Sequence, residues 1–182
     1  MVERMNCEDN IFRIRELRES DADCLFSRYT GCEKSTRYIS THRHESKRTT
    51  LAAIQRWQMH YALVSPKLLV YGVALRSDDS VFGVLVLVLH EQYGEIHFGI
   101  SQKFSGCGLG TKICHFGLTL LKSMGVRQVR TSPYIEHIAS IKVLKNCGFK
   151  NYGVLKQYAK FPGLGDCLYD CADMRISLEE FA

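Results

Sequence analysis

An α/β chain built on one mixed sheet is the fold class that the sequence predicts, and three observations predict it. Short apolar segments of strand length alternate with segments of helical period. Three strands follow one another without an intervening helix across residues 68–101, which makes that part an antiparallel meander. The third of them runs into a glycine-rich turn and then straight into a helix. At 182 residues the chain is expected to be a single domain, 1–182, with residues 1–10 as a flexible N-terminal tail.

Residues 11–17 alternate, with Phe12 and Ile14 set against Arg13 and Arg15, and read as the first strand. Ser20-Asp21-Ala22-Asp23 opens a helix, with Ser20 as N-cap and Leu25, Phe26 and Tyr29 on its buried side. Residues 31–48 are polar and irregular, and Lys34, Arg37, Arg43, Lys47 and Arg48 make a solvated face. Thr50 begins a second helix whose Leu51, Ile54, Trp57 and Tyr61 share one side.

Strands at 68–75 and 81–90 are joined by the turn residues Ser77-Asp78-Asp79-Ser80, and Gln92-Tyr93-Gly94 turns the chain into a third strand at 95–101. A helix over 109–124 carries the stripe Leu109, Ile113, Phe116, Leu120 and Met124, with Gly125 as a left-handed cap. A strand over 126–132 stops at Pro133. The helix at 138–147 points Ile138, Ile141 and Leu144 inward and ends at Gly148-Phe149. Strands at 152–160 and 168–176 finish the chain.

Composition narrows the function classes. With 46% hydrophobic and 24% charged residues the chain buries a core and is not intrinsically disordered. A formal charge of +5 suits a polyanionic small ligand as well as it suits nucleic acid. The basic stretch lacks an aromatic pattern for stacking bases, so nucleic acid is not the expected partner. Eight cysteines include no CxxC pair, which favours small buried thiols in a reducing, cytoplasmic compartment. Cys167 and Cys171 lack the second pair that a zinc site needs, so no metal is expected. The longest apolar run, 81–89, is too short to cross a bilayer, and no membrane partner is expected.

The chemistry is concentrated in Ser105-Gly106-Cys107-Gly108-Leu109-Gly110-Thr111. A strand that enters a helix through such a loop aims several unpaired backbone N–H groups at one point, where the helix dipole adds positive charge. A pyrophosphate fits there, and glycine allows its oxygens to approach closely. The G-x-G-x-G spacing and the antiparallel strand before it do not match a dinucleotide fingerprint. Thr111-Lys112 reverses the order that a P-loop requires.

His137-Ile138-Ala139-Ser140-Ile141-Lys142-Val143-Leu144-Lys145-Asn146-Cys147-Gly148-Phe149 follows one strand later. Together with the glycine loop it resembles the GNAT N-acetyltransferases, and within them the RimJ/RimL-like branch, over roughly residues 68–178. The resemblance implies a GNAT-type fold whose sheet opens into a V between its fourth and fifth strands. It implies acetyl-CoA as the acyl donor. Pantetheine would pair with the strand at Phe98, Gly99 and Ile100, the pyrophosphate would rest on the amides of residues 106–111, and Ser105 is a further candidate contact to the donor. His137 and Ser140 complete the implied contacts to the donor, with His137 standing where the branch carries asparagine.

The implied reaction is direct attack of a primary amine on the thioester. An α-amine, with a pKa of about 8, needs less help from a base than a lysine of about 10.4. Glu95 and His97 share one strand face and are the base candidates. The tyrosine that many GNAT enzymes use as acid is replaced by Leu144, so Ser140 is the candidate donor of the thiol proton. Tyr134, Tyr152 and Tyr158 are candidates for the acceptor cleft. The acceptor is a protein N-terminal amine or a small amine. A small-molecule acetyltransferase of aminoglycoside or polyamine type, and a non-catalytic acyl-CoA-binding module, stay open as alternatives, as does a homodimer.

Overall fold

A computed structural model describes residues 11–179 and 181. The expected tail at 1–10 lies outside the described residues. The element order is β1 (Phe12–Glu16), α1 (Ala22–Leu25), α2 (Glu33–Thr36), α3 (Lys47–Tyr61), β2 (Leu68–Leu75), β3 (Val81–Leu89), β4 (Gly94–Ile100), α4 (Leu109–Ser123), β5 (Gln128–Thr131), α5 (Ile138–Asn146), β6 (Lys150–Lys160) and β7 (Leu168–Ser177). The strands form one mixed sheet in the order β1-β2-β3-β4-β5-β7-β6. Only β4 and β5 are parallel; every other neighbouring pair is antiparallel.

Helices cover both faces. Leu85 and Leu87 of β3 and Ile96 of β4 pack with Ile113, Cys114, Leu118 and Leu121 of α4 and Leu144 of α5. Val84 of β3 and Val70 and Ala74 of β2 pack on the other face with Leu25, Tyr29 and Ile54. Burial on both sides explains why β3 is apolar almost throughout instead of alternating. The α4 stripe differs from expectation. Phe116 and Met124 are exposed, and Gly117, Leu118 and Leu121 face the sheet instead. A Cβ at position 117 would lie 2.6 Å from Ile96 Cδ1, so the glycine brings α4 down onto β4.

The expected helix after β1 is broken into a 3₁₀ turn (Glu19–Asp21), α1 and a π turn (Phe26–Thr30). Ser20 is not its cap. The Asp21 carboxylate accepts the Arg18 N–H at 2.8 Å and two guanidinium N–H groups of Arg15 at 2.8 and 2.9 Å. The π turn closes where Gly31 N–H reaches back five residues to the Phe26 carbonyl at 2.8 Å. A side chain at position 31 would strike the Phe26 ring. The α3 helix begins three residues before Thr50, with Ser46 accepting the Thr49 N–H at 3.2 Å.

Both later helices end in Schellman geometry. Val126 N–H bonds Leu121 O at 3.1 Å, and Phe149 N–H bonds Leu144 O at 3.0 Å, with Gly125 and Gly148 left-handed between them. In α5, Leu144 is buried as expected, whereas Ile138 is exposed. Of the cysteines, Cys114, Cys147 and Cys171 are buried, but Cys107 is half-buried in the glycine loop and Cys167 is exposed. No helix of the described residues is long and apolar enough to cross a membrane.

Candidate active site

The ladder between β4 and β5 is two pairs long, Gly94 with Val129 and Glu95 with Arg130. Beyond it the strands share no ladder among the described residues, so the sheet opens into a notch there. Which groups of β4 face the notch follows from parity. His90 N–H bonds Tyr93 O at 3.0 Å at one end of the β3–β4 hairpin, and Ser101 N–H bonds Phe82 O at 2.7 Å at the other. In an antiparallel ladder only alternate residues bond the partner strand. Glu95, His97 and Gly99 therefore spend their backbone groups on β3. Those of Phe98 and Ile100 point the other way, into the notch. On the β5 side the chain stays bonded to β7 past the end of the strand: the Pro133 carbonyl accepts the Ala172 N–H at 2.9 Å, Tyr134 bridges Cys171, and Ile135 N–H donates to Asp170 O at 3.0 Å.

The glycine loop lies at the open end of β4. Gly106 and Gly108 are left-handed, with φ of 80° and 76°, and a Cβ on either would meet nothing within 4 Å. Backbone conformation, more than room for an oxygen, is what requires glycine at these two positions. Among the described residues, none of the N–H groups of residues 106–110 donates a recorded hydrogen bond. Thr111 N–H is already used, donating to Gly108 O at 3.1 Å. Ser105 Oγ donates to Gln102 O at 2.7 Å, and Cys107 Sγ to Ser105 O at 3.7 Å. A run of five donors, three before a helix of fifteen residues and two in its first turn, fits a pyrophosphate. Gly110 and Leu109 have a packing role as well. Leu109 is buried, and a Cβ on Gly110 would lie 3.2 Å from Val143 of α5 and 3.6 Å from Phe98. Ser140 is one turn before Val143 on the same helix, which puts it near the side that packs against Gly110 of α4. Its hydroxyl makes no recorded hydrogen bond among the described residues.

The opposite face of β4 carries the base candidates. Glu95 bridges two histidines, Oε1 to His90 Nε2 at 2.9 Å and Oε2 to His97 Nε2 at 3.1 Å. The His97 contact, more than His90, holds the Glu95 carboxyl below the usual carboxylate range. With Glu95 ionised, His97 Nε2 is the donor nitrogen and Nδ1 the free basic position. His90 was not singled out in the sequence. Its signal is the hairpin register, which sets Val88 opposite Glu95 and places His90 one pleat further on the same face.

His137 ends up neither solvent-facing nor a hydrogen-bonding cap. Its ring stacks on Tyr38 at 4.3 Å, and burial pushes its pKa down, so it is neutral near pH 7. Tyr38, Tyr134, Phe161 and Tyr169 form an aromatic group around this point. Tyr152 and Tyr158 are exposed on β6. Tyr38 comes from the polar 31–48 segment, and nothing in its local sequence marks it. No cluster of three or more His, Cys, Asp or Glu with metal-binding geometry occurs among the described residues.

A family profile described as "Acetyltransferase (GNAT) domain" matches residues 12–150. The chain belongs to the GNAT acetyltransferase family. It is accordingly an N-acetyltransferase, with the mixed sheet of that fold. No curated protein matches the sequence significantly. Solved structures share the GNAT fold at low identity. Mycobacterium smegmatis RimJ in complex with CoA-disulfide superposes with a TM-score of 0.81 at 16% identity, covering 94% of this chain and 84% of that one. A ribosomal-protein-S5-alanine acetyltransferase from Vibrio fischeri gives 0.77 at 13% identity, with 96% and 97% covered. Spermidine N-acetyltransferase from Vibrio cholerae, in complex with CoA and spermine, gives 0.76 at 14% identity, with 93% and 97% covered. The GNAT likeness thus spans relatives named for protein and for small-molecule acceptors.

Proposed function

We propose that this GNAT domain transfers acetyl from acetyl-CoA to a primary amine by direct attack in a ternary complex, in the manner of the RimJ/RimL-like branch. The observation that carries the proposal is the notch beyond the two-pair ladder, edged by the backbone of Phe98 and Ile100 and continued by the five free amides of residues 106–110. Amide groups along pantetheine need an unpaired strand edge, and the pyrophosphate needs free donors at a helix start; the notch-facing backbone of β4 and the unused N–H groups of residues 106–110 support that reading.

Three jobs then fall to this chain's residues. His97, with Nδ1 free and Nε2 held by Glu95, accepts a proton from the incoming amine. A notch-facing N–H of Phe98 or Ile100 stabilises the oxyanion. Ser140 approaches from the α5 side and hydrogen-bonds the sulfur end of the donor. The acceptor is a protein N-terminal amine or a small amine, reaching the thioester across the face that carries Glu95 and His97.

The test is in two steps. Acetyl-CoA and CoA should raise the melting temperature, and NAD should not. Release of free thiol is then followed against a panel of peptides with different N-termini and of polyamines. Binding of CoA without thiol release from any amine would favour the acyl-CoA-binding module. No shift with CoA would overturn the proposal.

A further inference from the structure

Tyr29 presents a polar group that the fold does not need. It is 5% exposed in a cluster that is otherwise apolar, among Leu17, Leu25, Ile54, Val70, Val81 and Val84. Its hydroxyl makes no hydrogen bond among the described residues. Among the described residues the enclosed side-chain polar atoms without a partner are His60 Nδ1 and Arg130 Nε; the Tyr29 oxygen is not one of them, so it keeps an opening out of the apolar cluster, where a phenylalanine would present no polar atom. What it can reach follows from its position. A Cβ on Gly99 would lie 1.9 Å from the Tyr29 Oη, so the oxygen rests directly over the bare backbone of β4. Gly99 sits between Phe98 and Ile100, the two residues whose backbone faces the notch. His97 is on the same face, one pleat repeat or about 7 Å along the strand. Tyr29 is also carried by the π turn, a distortion that often marks a functional position.

We infer that Tyr29 is the acid of the transfer, donating its phenolic proton to the sulfur that leaves; this rests on the acetyl-transfer function proposed above. The amine nitrogen bonds to the thioester carbon, and the C–S bond breaks with its electron pair going to sulfur. Tyr29 Oη–H gives that sulfur its proton, forming the thiol of CoA. The proton lost by the amine goes to His97 Nδ1, and the phenolate is reprotonated from water. Acid and base thus stand on one face of β4. Ser140 lies across the strand, on α5, and an aliphatic hydroxyl is a weaker acid than a phenol.

Y29F tests the assignment. A core role predicts unchanged or slightly higher thermal stability and unchanged turnover. A proton donor predicts the same stability, a CoA dissociation constant within about threefold, and a fall in kcat of about a hundredfold, the lower end for a general acid. A second readout needs no acceptor. The thiolate absorbance of bound CoA is titrated as the difference between complexes with CoA and with dethio-CoA, which cancels the protein's own cysteines. A phenol bonded to the sulfur stabilises the thiolate, so Y29F should raise the apparent pKa of bound CoA by about one unit. The charged or titratable groups nearby, Arg28 on the same turn, Glu95 and His97 on β4 and His137 before α5, are identical in both proteins. Equal bound-thiol pKa values in wild type and Y29F would overturn the proposal. So would a Y29F kcat within threefold of wild type while S140A loses activity. Failure of the wild type to bind CoA at all would instead strike the acetyl-transfer function.

Discussion

A single methyl group at position 99 would land 1.9 Å from the Tyr29 oxygen and 2.4 Å from its ring carbon. Neither the ring nor the strand can yield by that much, because both are held in a close-packed layer. G99A should therefore destabilise the protein by about 2 kcal/mol, read as a lower denaturant midpoint at unchanged slope. Glu95 makes a different kind of prediction. Its folded pKa is depressed, so its contribution to stability is fully present above the unfolded value of about 4.3 and is lost as pH falls through the lower folded value. The stability difference between wild type and E95Q should shrink as pH falls below about 4, measured by urea unfolding. H90Q, which leaves His97 in place, should lower kcat/KM by several-fold and alter its pH profile if the Glu95 bridge orients the base.

At the scale of elements, Gly125 and Gly148 hold φ of 83° and 90° at the ends of α4 and α5. Alanine at either should cost about 1 to 2 kcal/mol in chemical denaturation, because an L side chain is strained there. These ends were legible in the sequence, since a glycine after the last apolar position has one physical use. So were the strands: the turn chemistry at Ser77–Ser80 and the apolar run from Val81 set β2 and β3, and β2 spans Leu68–Leu75 as expected. The inner face of α4 was not legible. Counting large apolar residues favours Phe116 and Met124, whereas the sheet selects Gly117 for its lack of a side chain. The strand, loop and helix of the candidate site could be read because they are contiguous. His90, Tyr38 and Tyr29 could not, because each reaches the site from a separate element through tertiary packing that leaves no local period.

For the whole molecule, the proposed function makes stability depend on the donor. If CoA binds only the folded state, free ligand at a hundred times its dissociation constant adds about 2.7 kcal/mol to unfolding. Titrating acetyl-CoA should raise the melting temperature logarithmically, without a plateau at stoichiometry. Replacing Gly106 and Gly108 by alanine should abolish most of that rise, because an L side chain is strained at the left-handed φ of both positions and the loop would change shape.

The two-pair ladder has one more consequence. Strands β1 to β4 make one ribbon and β5, β7 and β6 another; among the described residues only Gly94–Val129 and Glu95–Arg130 stitch them together within the sheet, and the Arg130 guanidinium lies 4.6 Å over the Tyr93 ring. Such a seam works like the rivet of a pair of tongs: small rotations about it change the width of the jaws far more than they disturb either arm. Amide hydrogen exchange should show this directly, with β5 slowing more than β3 when CoA closes the jaws on itself, and R130A loosening the grip without unfolding either arm.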